Sequence, residues 1–142
     1  MRTYEQDYTQ GIQGENDIHS VLEEAFDCRL TKTTIPTHNM DYEGEDCWIE
    51  IKTRFGVASN TYPTMLISDS KIKFALLATK PVYFVFNLTD GIFFCQFNKE
   101  RFETYRREGV CRWDRNEKRS TGHYHIPVSD LDWIQKTVVW DF

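Results

Sequence analysis

The 142-residue sequence predicts a single α/β domain with a mixed central sheet flanked by helices. Three observations support this fold class. Residues before position 27 space their apolar side chains as a helix does, residues 46–54 alternate as a strand does, and two later apolar runs are joined by Asp90-Gly91. In order, these patterns predict a helix, three strands, a helix and a strand over residues 10–97, followed by a β/α extension over residues 98–142.

The first helix is predicted over residues 9–26, because Ile18 and Leu22 belong to an apolar stripe with helical spacing. Glu15 lies seven residues before Leu22 and therefore falls on the same inward face. A carboxylate on an apolar face needs a partner, so Glu15 is a candidate site residue. His19 lies at the edge of the stripe, where it is either a packing or capping group or an additional ligand.

Three strands are predicted next, over residues 29–36, 39–43 and 46–54. Gly44 suits a turn between the second and third strands, so a hairpin would bring Asp41 to the same end of the sheet as Glu50. Glu50 and Lys52 fall on one side of the third strand, about 6.6 Å apart along it. These three side chains form one candidate cluster.

Two adjacent carboxylates beside a lysine indicate a site for a hard divalent cation. At close range, the carboxylates of Asp41 and Glu50 would repel each other by about 4 kcal/mol at an effective dielectric of about 20, and a lysine offsets only part of this. Magnesium favours one or two carboxylates together with water and phosphate oxygens. The cluster therefore predicts metal-assisted phosphodiester hydrolysis. The alternative is a half-exposed strand with a cross-strand ion pair.

An acid-x-lysine triplet is weak support by itself, since about one is expected by chance in a chain of this length. The sequence contains two. The second, residues 69–71, follows Ser68 at a predicted helix start, where Asp and Ser are expected as caps. Only residues 50–52 lie within an apolar strand and follow a strand that carries an acid.

Residues 55–64 are predicted to form a loop over the site, and residues 68–79 a helix. The first turn of this helix carries Ser70, Lys71 and Lys73. These side chains either contact phosphates at the helix N-terminus or remain solvated.

Residues 82–88 and 92–97 are predicted to be strands of one hairpin, and the first is apolar almost throughout. Such a strand is expected at the centre of the sheet, buried on both faces. Asn98 is expected to cap a further helix that runs through Glu108 and stops at Gly109.

The C-terminal part is predicted to begin with a strand over residues 123–128. Its His123 and His125 are interpreted as surface histidines in preference to a zinc site, because no further ligands lie nearby in the sequence. Ser129 is then expected to cap a last turn, and apolar residues from Trp133 onwards are expected to dock the C-terminus onto the core.

Charge is distributed unevenly along the chain. Residues 1–50 hold three Lys or Arg against twelve Asp or Glu, whereas residues 51–119 hold thirteen against seven. The second segment is therefore able to present a basic surface to nucleic acid, although the net charge is −5. Arg54, Arg112 and Arg115 are candidate nucleic-acid contacts, and the alternative for the last two is a solvated loop.

The cysteines and the N-terminus indicate an intracellular, cytoplasmic protein. The four cysteines are scattered without metal-ligand spacing, which favours free thiols over a zinc site or a disulfide framework. The first residues contain no apolar run, so neither a signal peptide nor a membrane span is predicted.

The combination resembles the PD-(D/E)XK, or restriction-endonuclease-like, nuclease superfamily, whose shared core has the same order of helix, three strands, helix and strand. Asp41 and the Glu50-Ile51-Lys52 triplet carry this resemblance. The more specific resemblance is to archaeal and phage Holliday-junction resolvases, whose first helix has the form Gly-x-x-x-Glu-x-x-Ile-x-x-x-Leu. That form corresponds here to Gly11, Glu15, Ile18 and Leu22. Met40 departs from the pattern, because many relatives have Pro before the Asp.

The resemblance implies a restriction-endonuclease-like fold and a Mg²⁺-dependent endonuclease that hydrolyses DNA, with Mn²⁺ as a substitute. Asp41 and Glu50 would bind the metal together with the carbonyl oxygen of Ile51. Lys52 would orient or help to deprotonate the attacking water and stabilise the developing phosphate charge. Glu15 would hold a second metal or its water. The resolvase branch further implies selectivity for DNA junctions and a homodimer.

Other interpretations remain open. His19 also resembles the helix histidine of exonuclease branches, so the substrate and the mode of cleavage are not fixed. A catalytically silent relative would serve as a nucleic-acid-binding or assembly module. An ordinary α/β interaction domain would leave Asp41, Glu50 and Lys52 apart in space.

Overall fold

The computed structural model describes residues 18–34, 39–109 and 122–135, which form two sheets and three helices. Helix α1 includes residues 18–25. The other helices are α2 (Asp69–Leu77) and α3 (Lys99–Glu103), with a 3-10 turn at Val128–Asp130. The strands are β1 (Leu30–Lys32), β2 (Tyr42–Gly44), β3 (Trp48–Thr53), β4 (Thr64–Ser68), β5 (Val82–Leu88), β6 (Gly91–Gln96), β7 (Arg107–Glu108), β8 (His123–Pro127) and β9 (Asp132–Gln135).

The larger sheet has six strands in the order β1-β2-β3-β5-β6-β9. Strands β3 and β5 are parallel, and the other neighbouring pairs are antiparallel. Helix α2 lies in the connection between β3 and β5, as a crossover between parallel strands requires. The predicted α/β fold with a mixed central sheet is therefore confirmed.

Strand β5 lies in the interior of this sheet and separates two apolar clusters. Phe84 and Phe86 belong to one cluster, together with Ile72 of α2, whereas Val85 belongs to the other, together with Leu22 of α1. The prediction that this strand is buried on both faces is confirmed. Its hairpin with β6 turns at Thr89-Asp90, so that prediction is confirmed as well.

Strand β4 was not predicted from the sequence. Residues 55–64 were assigned to a loop, and no strand was expected between that loop and α2. Strand β4 pairs with β8 over five residue pairs, from Thr64 with Pro127 to Ser68 with His123. Met65 and Ile67 are buried between half-exposed neighbours. This alternation was present in the sequence, but the pairing strand lies about sixty residues away.

Helix α3 is shorter than predicted. Asn98 caps it as expected, because its side-chain oxygen accepts a hydrogen bond from Arg101 N at 2.9 Å. The helix ends at Glu103, however, and Arg107–Glu108 instead pairs with β8. Gly109 therefore does not end a helix.

The C-terminal part also departs from prediction. The 3-10 turn begins after Pro127, so Ser129 lies inside it and does not cap it, and the chain then forms β9. Trp133 is 59% exposed, although its indole covers Gly91. Ile134 packs against the core as expected. The other apolar residues predicted to dock the C-terminus lie outside the described residues.

Of the two histidines of β8, His125 is not the surface group that was predicted. The side chain of His125 is 15% exposed, and its two ring nitrogens contact Glu108 Oε2 at 3.1 Å and Thr64 Oγ1 at 3.2 Å. It therefore links the three strands of the smaller sheet. Within the three described segments, no helix has the length and apolar character that crossing a bilayer requires.

Candidate active site

Strands β2 and β3 bring two acidic side chains together. Their register pairs Tyr42 with Ile49, so the next residues, Asp41 and Glu50, are neighbours across the hairpin. The backbone N–H of Ile51 donates a hydrogen bond of 2.8 Å to Asp41 Oδ2, which fixes the orientation of that carboxyl group. The two acids that the sequence placed at one end of a sheet therefore meet in the structure.

Glu50 is an acid in an unfavourable environment. Only 4% of the residue is exposed. Burial raises the pKa of Glu50 to about 8, and the hydrogen-bonding contact with Asp41 and the negative charge of Asp41 act in the same direction. The neighbouring Lys71 opposes this effect and lowers the pKa of Glu50 only in part. The physical cause is that two carboxyl groups share a buried corner.

Lys71 of α2 reaches this corner from the adjoining helix. Its Nζ lies 2.5 Å from Glu50 Oε2 and donates a 2.6 Å hydrogen bond to the carbonyl oxygen of Asn39. Lys71 and Glu50 thus form a close ion pair in which Glu50 is almost fully buried. The sequence suggested a phosphate contact for Lys71, whereas the structure places its ammonium against Glu50.

Lys52 extends from the same face of β3 as Glu50. The parallel register sets Glu50 beside Phe84 and Lys52 beside Phe86, and both phenylalanines belong to the cluster that α2 covers. Lys52 is half-buried and lies two residues beyond Glu50. The structure therefore places an ammonium group on the strand that carries the buried acid.

Helix α1 packs on the opposite face of the sheet. Its Ile18 and Leu22 belong to the cluster that includes Ile49, whose side chain alternates with that of Glu50. Glu15, the third predicted acid, lies outside the described residues, so its position relative to Asp41 and Glu50 stays a prediction.

The chemistry of this corner suits a hard divalent cation. Such an ion would relieve the repulsion between Asp41 and Glu50, which Lys71 offsets only in part. Magnesium needs only one or two carboxylates, since water and phosphate oxygens complete its coordination. Across residues 18–34, 39–109 and 122–135, no group of three or more His, Cys, Asp or Glu side chains is arranged to hold a metal. The described residues thus offer a partial ligand set.

His19 lies on α1, and its ring contacts strands β1 and β2. Its Nε2 bonds the carbonyl oxygen of Leu30 at 2.7 Å, and its ring lies 4.7 Å from the ring of Tyr42. A carbonyl oxygen can only accept, so Nε2 carries the proton of this bond. The geometry supports the packing role that the sequence left open.

The other predicted nucleic-acid contacts are dispersed. Ser70 and Lys73 are exposed on α2, where Lys73 Nζ lies 3.7 Å from Asp69. Arg54 is exposed directly after β3, and its backbone N–H donates to Asn87 O. Arg112 and Arg115 lie outside the described residues.

Asp69 is a buried acid whose role sequence analysis missed. It is 2% exposed and accepts a 2.8 Å hydrogen bond from Arg107, while its backbone N–H donates to Gly122 O at 2.9 Å. These contacts join the start of α2 to the smaller sheet. The acid-x-lysine triplet was visible in the sequence, but Arg107 is 38 residues away, so local pattern favoured a capping role.

An open groove of about 650 Å³ lies beside Asn39, whose carbonyl oxygen binds Lys71. Its lining residues are Asn39, Trp48, Ser70, Lys73, Phe74, Leu77, Ala78 and Thr79. Trp48 and Phe74 form an edge-to-face pair with ring centroids 5.3 Å apart, and Lys80 lies over the Trp48 ring at 4.5 Å. The groove therefore combines an aromatic wall with basic side chains.

Comparison with known proteins identifies the family. No curated protein and no solved structure matches this chain. Residues 2–134 match the family model described as "Phage putative PDDEXK endonuclease", which spans nearly the whole sequence and includes Asp41, Glu50 and Lys52. The chain therefore belongs to this phage PD-(D/E)XK endonuclease family.

Proposed function

We propose that this chain is a divalent-metal-dependent DNA endonuclease whose metal is bound at Asp41 and Glu50. The observation that carries the proposal is that these two carboxyl groups meet in a buried corner. Lys52 lies two residues after Glu50 on the same face of β3. Membership of an endonuclease family supports phosphodiester hydrolysis as the reaction.

Each residue has a distinct proposed role. A bound Mg²⁺ or Mn²⁺ would supply positive charge at the scissile phosphate and lower the pKa of a water molecule. Asp41 and Glu50 bind the ion, and the Ile51 N–H holds Asp41 in place. Lys52 would orient the attacking water or help to deprotonate it, and its ammonium group would stabilise the developing phosphate charge. The Ile51 carbonyl is a further proposed ligand.

Glu15 is proposed to hold a second metal ion or its water. Support for this role is the family match, which includes residue 15, and the predicted position of Glu15 on the apolar stripe of the first helix. A third acid, from another part of the chain, would add to the partial ligand set of the described residues.

DNA is proposed to cross the face of the sheet that α2 covers. Ser70, Lys73 and Arg54 are exposed near this face and are proposed to contact phosphates, with Arg112 and Arg115 as further candidates. If the protein is selective for four-way junctions, a homodimer supplies the two sites that symmetric cleavage of two strands needs.

The test compares cleavage of several substrates by the purified protein. Supercoiled plasmid, linear duplex, single-stranded DNA, RNA and a four-way junction are each incubated with Mg²⁺, Mn²⁺ or a chelator. We expect cleavage of DNA with either metal and none with chelator. Preference for the junction would support the resolvase-like interpretation, and equal cleavage of all duplexes would contradict it.

The matched variants are Glu50→Gln and Glu43→Gln. Glu43 lies on the neighbouring strand β2, but its side chain is 49% exposed and pairs with Lys80. We expect E50Q to lose detectable cleavage and to bind Mn²⁺ more weakly, while E43Q retains both. Cleavage by E50Q at the wild-type rate would contradict the assigned site. DNA binding by the wild-type protein without cleavage under any condition would indicate a catalytically silent module instead.

A further inference from the structure

Lys71 occupies a position that neither its sequence context nor the proposed reaction explains. Its side chain is 21% exposed and leaves the first turn of α2 to reach the acidic corner. There its Nζ lies 2.5 Å from Glu50 Oε2 and 2.6 Å from Asn39 O. The neighbouring Lys73 has a side chain that is 65% exposed and lies 3.7 Å from Asp69. Two lysines of one helix turn thus face different acids.

An ammonium group and a divalent cation compete for the same place in this geometry. Both are attracted by the Asp41–Glu50 pair, but like charges at a few ångströms repel each other strongly in a buried corner. Lys71 and Glu50 Oε2 form a close ion pair at 2.5 Å. A divalent cation that binds this oxygen therefore has to displace the ammonium group from it.

Asn39 gives Lys71 a second anchor outside the acidic pair. The bond to the Asn39 carbonyl oxygen is directed, and at 2.6 Å it is short. The long side chain of lysine allows its Nζ to move away from Glu50 by rotation while this bond is kept. Displacement from Glu50 would therefore leave Lys71 hydrogen-bonded.

We propose that Lys71 is the resident cation of the acidic corner: it balances the Asp41–Glu50 pair in the metal-free protein and is displaced from Glu50 when a divalent cation binds. Lys71 is thus a positioning residue that keeps the two acids together before the metal arrives. This inference rests on the proposed function only in taking Asp41 and Glu50 as the metal ligands.

The first test measures Mn²⁺ affinity without DNA, at one fixed pH and ionic strength, for the wild type, Lys71→Met and Lys73→Met. Removing a competing cation from the site should strengthen Mn²⁺ binding by K71M about tenfold or more. K73M removes the same charge from the same helix turn and should bind Mn²⁺ within about twofold of the wild type, because Lys73 is exposed and screened. Equal or weaker binding by K71M would overturn the proposal, since it would mean that Lys71 stays in place and supports the ligands.

Stability gives a second readout of the same exchange. Without metal, K71M leaves the acidic pair unbalanced, so its Tm in chelator should fall below that of the wild type, and added Mn²⁺ should raise its Tm more than it raises the wild-type value. A K71M protein with an unchanged Tm in chelator would contradict the balancing role.

A measurement on the wild-type protein covers the case in which K71M does not fold. Acylation of lysines followed by peptide mass spectrometry reports the accessibility of Lys71 relative to Lys73. Mn²⁺ should increase the labelling of Lys71 severalfold and leave Lys73 unchanged. Unchanged or reduced labelling of Lys71 would overturn the inference.

The outcomes also separate this inference from the proposed function. If E50Q binds Mn²⁺ as tightly as the wild type, the proposed metal site itself is wrong. If E50Q binding is weakened but Lys71 labelling does not respond to Mn²⁺, the site stands and only the role of Lys71 is rejected.

Discussion

The two acid-x-lysine triplets of this chain have the same spacing but opposite environments. Glu50 and Asp69 are both nearly inaccessible, at 4% and 2% exposure. Asp69 accepts a hydrogen bond from Arg107 and lies near Lys73. Glu50 has Lys71 at 2.5 Å, but it also faces Asp41, which acts with burial to raise the pKa of Glu50. Cations therefore compensate Asp69, whereas Lys71 compensates Glu50 only in part.

This difference separates an acid that is compensated within the fold from the acid that we propose as a metal ligand. Burial of a charged group is costly unless cations and hydrogen bonds compensate it. The fold compensates Asp69 through Arg107, whereas at Glu50 it provides the Lys71 ammonium group but also adds the carboxyl group of Asp41. The unfavourable arrangement at Glu50 is the kind that functional sites retain because a ligand relieves it.

The largest expected effect tests whether Lys52 acts on the reaction. Lys52→Ala should lower the cleavage rate by about 10²–10³-fold, because it removes a donor to the developing phosphate charge. Folding and DNA binding should remain close to wild type. The measurements are single-turnover cleavage, a DNA-binding titration and thermal unfolding. A K52A protein that cuts DNA at the wild-type rate would remove Lys52 from the site.

The next effect concerns the pH dependence of stability in the metal-free protein. The pKa of Glu50 is raised by burial to about 8 from an ordinary value of 4.5, so between these values the folded state binds the proton more tightly than the unfolded state. The contribution of Glu50 to the free energy of unfolding is therefore greatest below pH 4.5 and decreases as the pH rises towards 8.

Chemical denaturation in chelator at several pH values measures this dependence. The comparison is between the wild type and E50Q. Both proteins contain Asp41 and Lys71, the charged groups that face residue 50, so the comparison isolates the titration of Glu50. E50Q should lack the decrease in stability with pH. Identical slopes for the two proteins would show that Glu50 does not titrate in the predicted range.

The smallest expected effect tests whether Asp69 stabilises the fold. Asp69→Asn should lower the free energy of unfolding by about 1–2 kcal/mol, because it weakens a charge-assisted bond to an arginine that is half exposed. The intrinsic cleavage step should change little. A double-mutant cycle with Arg107→Met measures the coupling directly. If D69N abolished cleavage without loss of stability, the second triplet would have a chemical role and the comparison would fail.

Local patterns in the sequence were enough for strands β1, β2, β3, β5 and β6 of the larger sheet and for its acidic corner. The alternation of residues 46–54, the apolar run of residues 82–88 and the Asp90-Gly91 turn each specify their element through short-range geometry. The meeting of Asp41 and Glu50 also follows from a hairpin that spans only nine positions. Predictions of this kind succeed because the interacting residues are close together along the chain.

The smaller sheet and the cation at Glu50 could not be predicted in the same way. Strand β4 forms because it pairs with a strand about sixty residues later, and Arg107–Glu108 leaves its helix for the same partner. Lys71 looked like an ordinary solvated or phosphate-binding lysine, since its distance from Glu50 depends on how α2 crosses the sheet.

By itself, the sequence determined the kind of sheet, the hairpin that joins two carboxylates and the lysine that follows the second of them. Only the tertiary structure decided which cation lies beside each buried acid. The physical reason is that charge balance depends on groups from distant parts of the chain, such as Arg107 at Asp69 and Lys71 at Glu50, and their distances are set by packing.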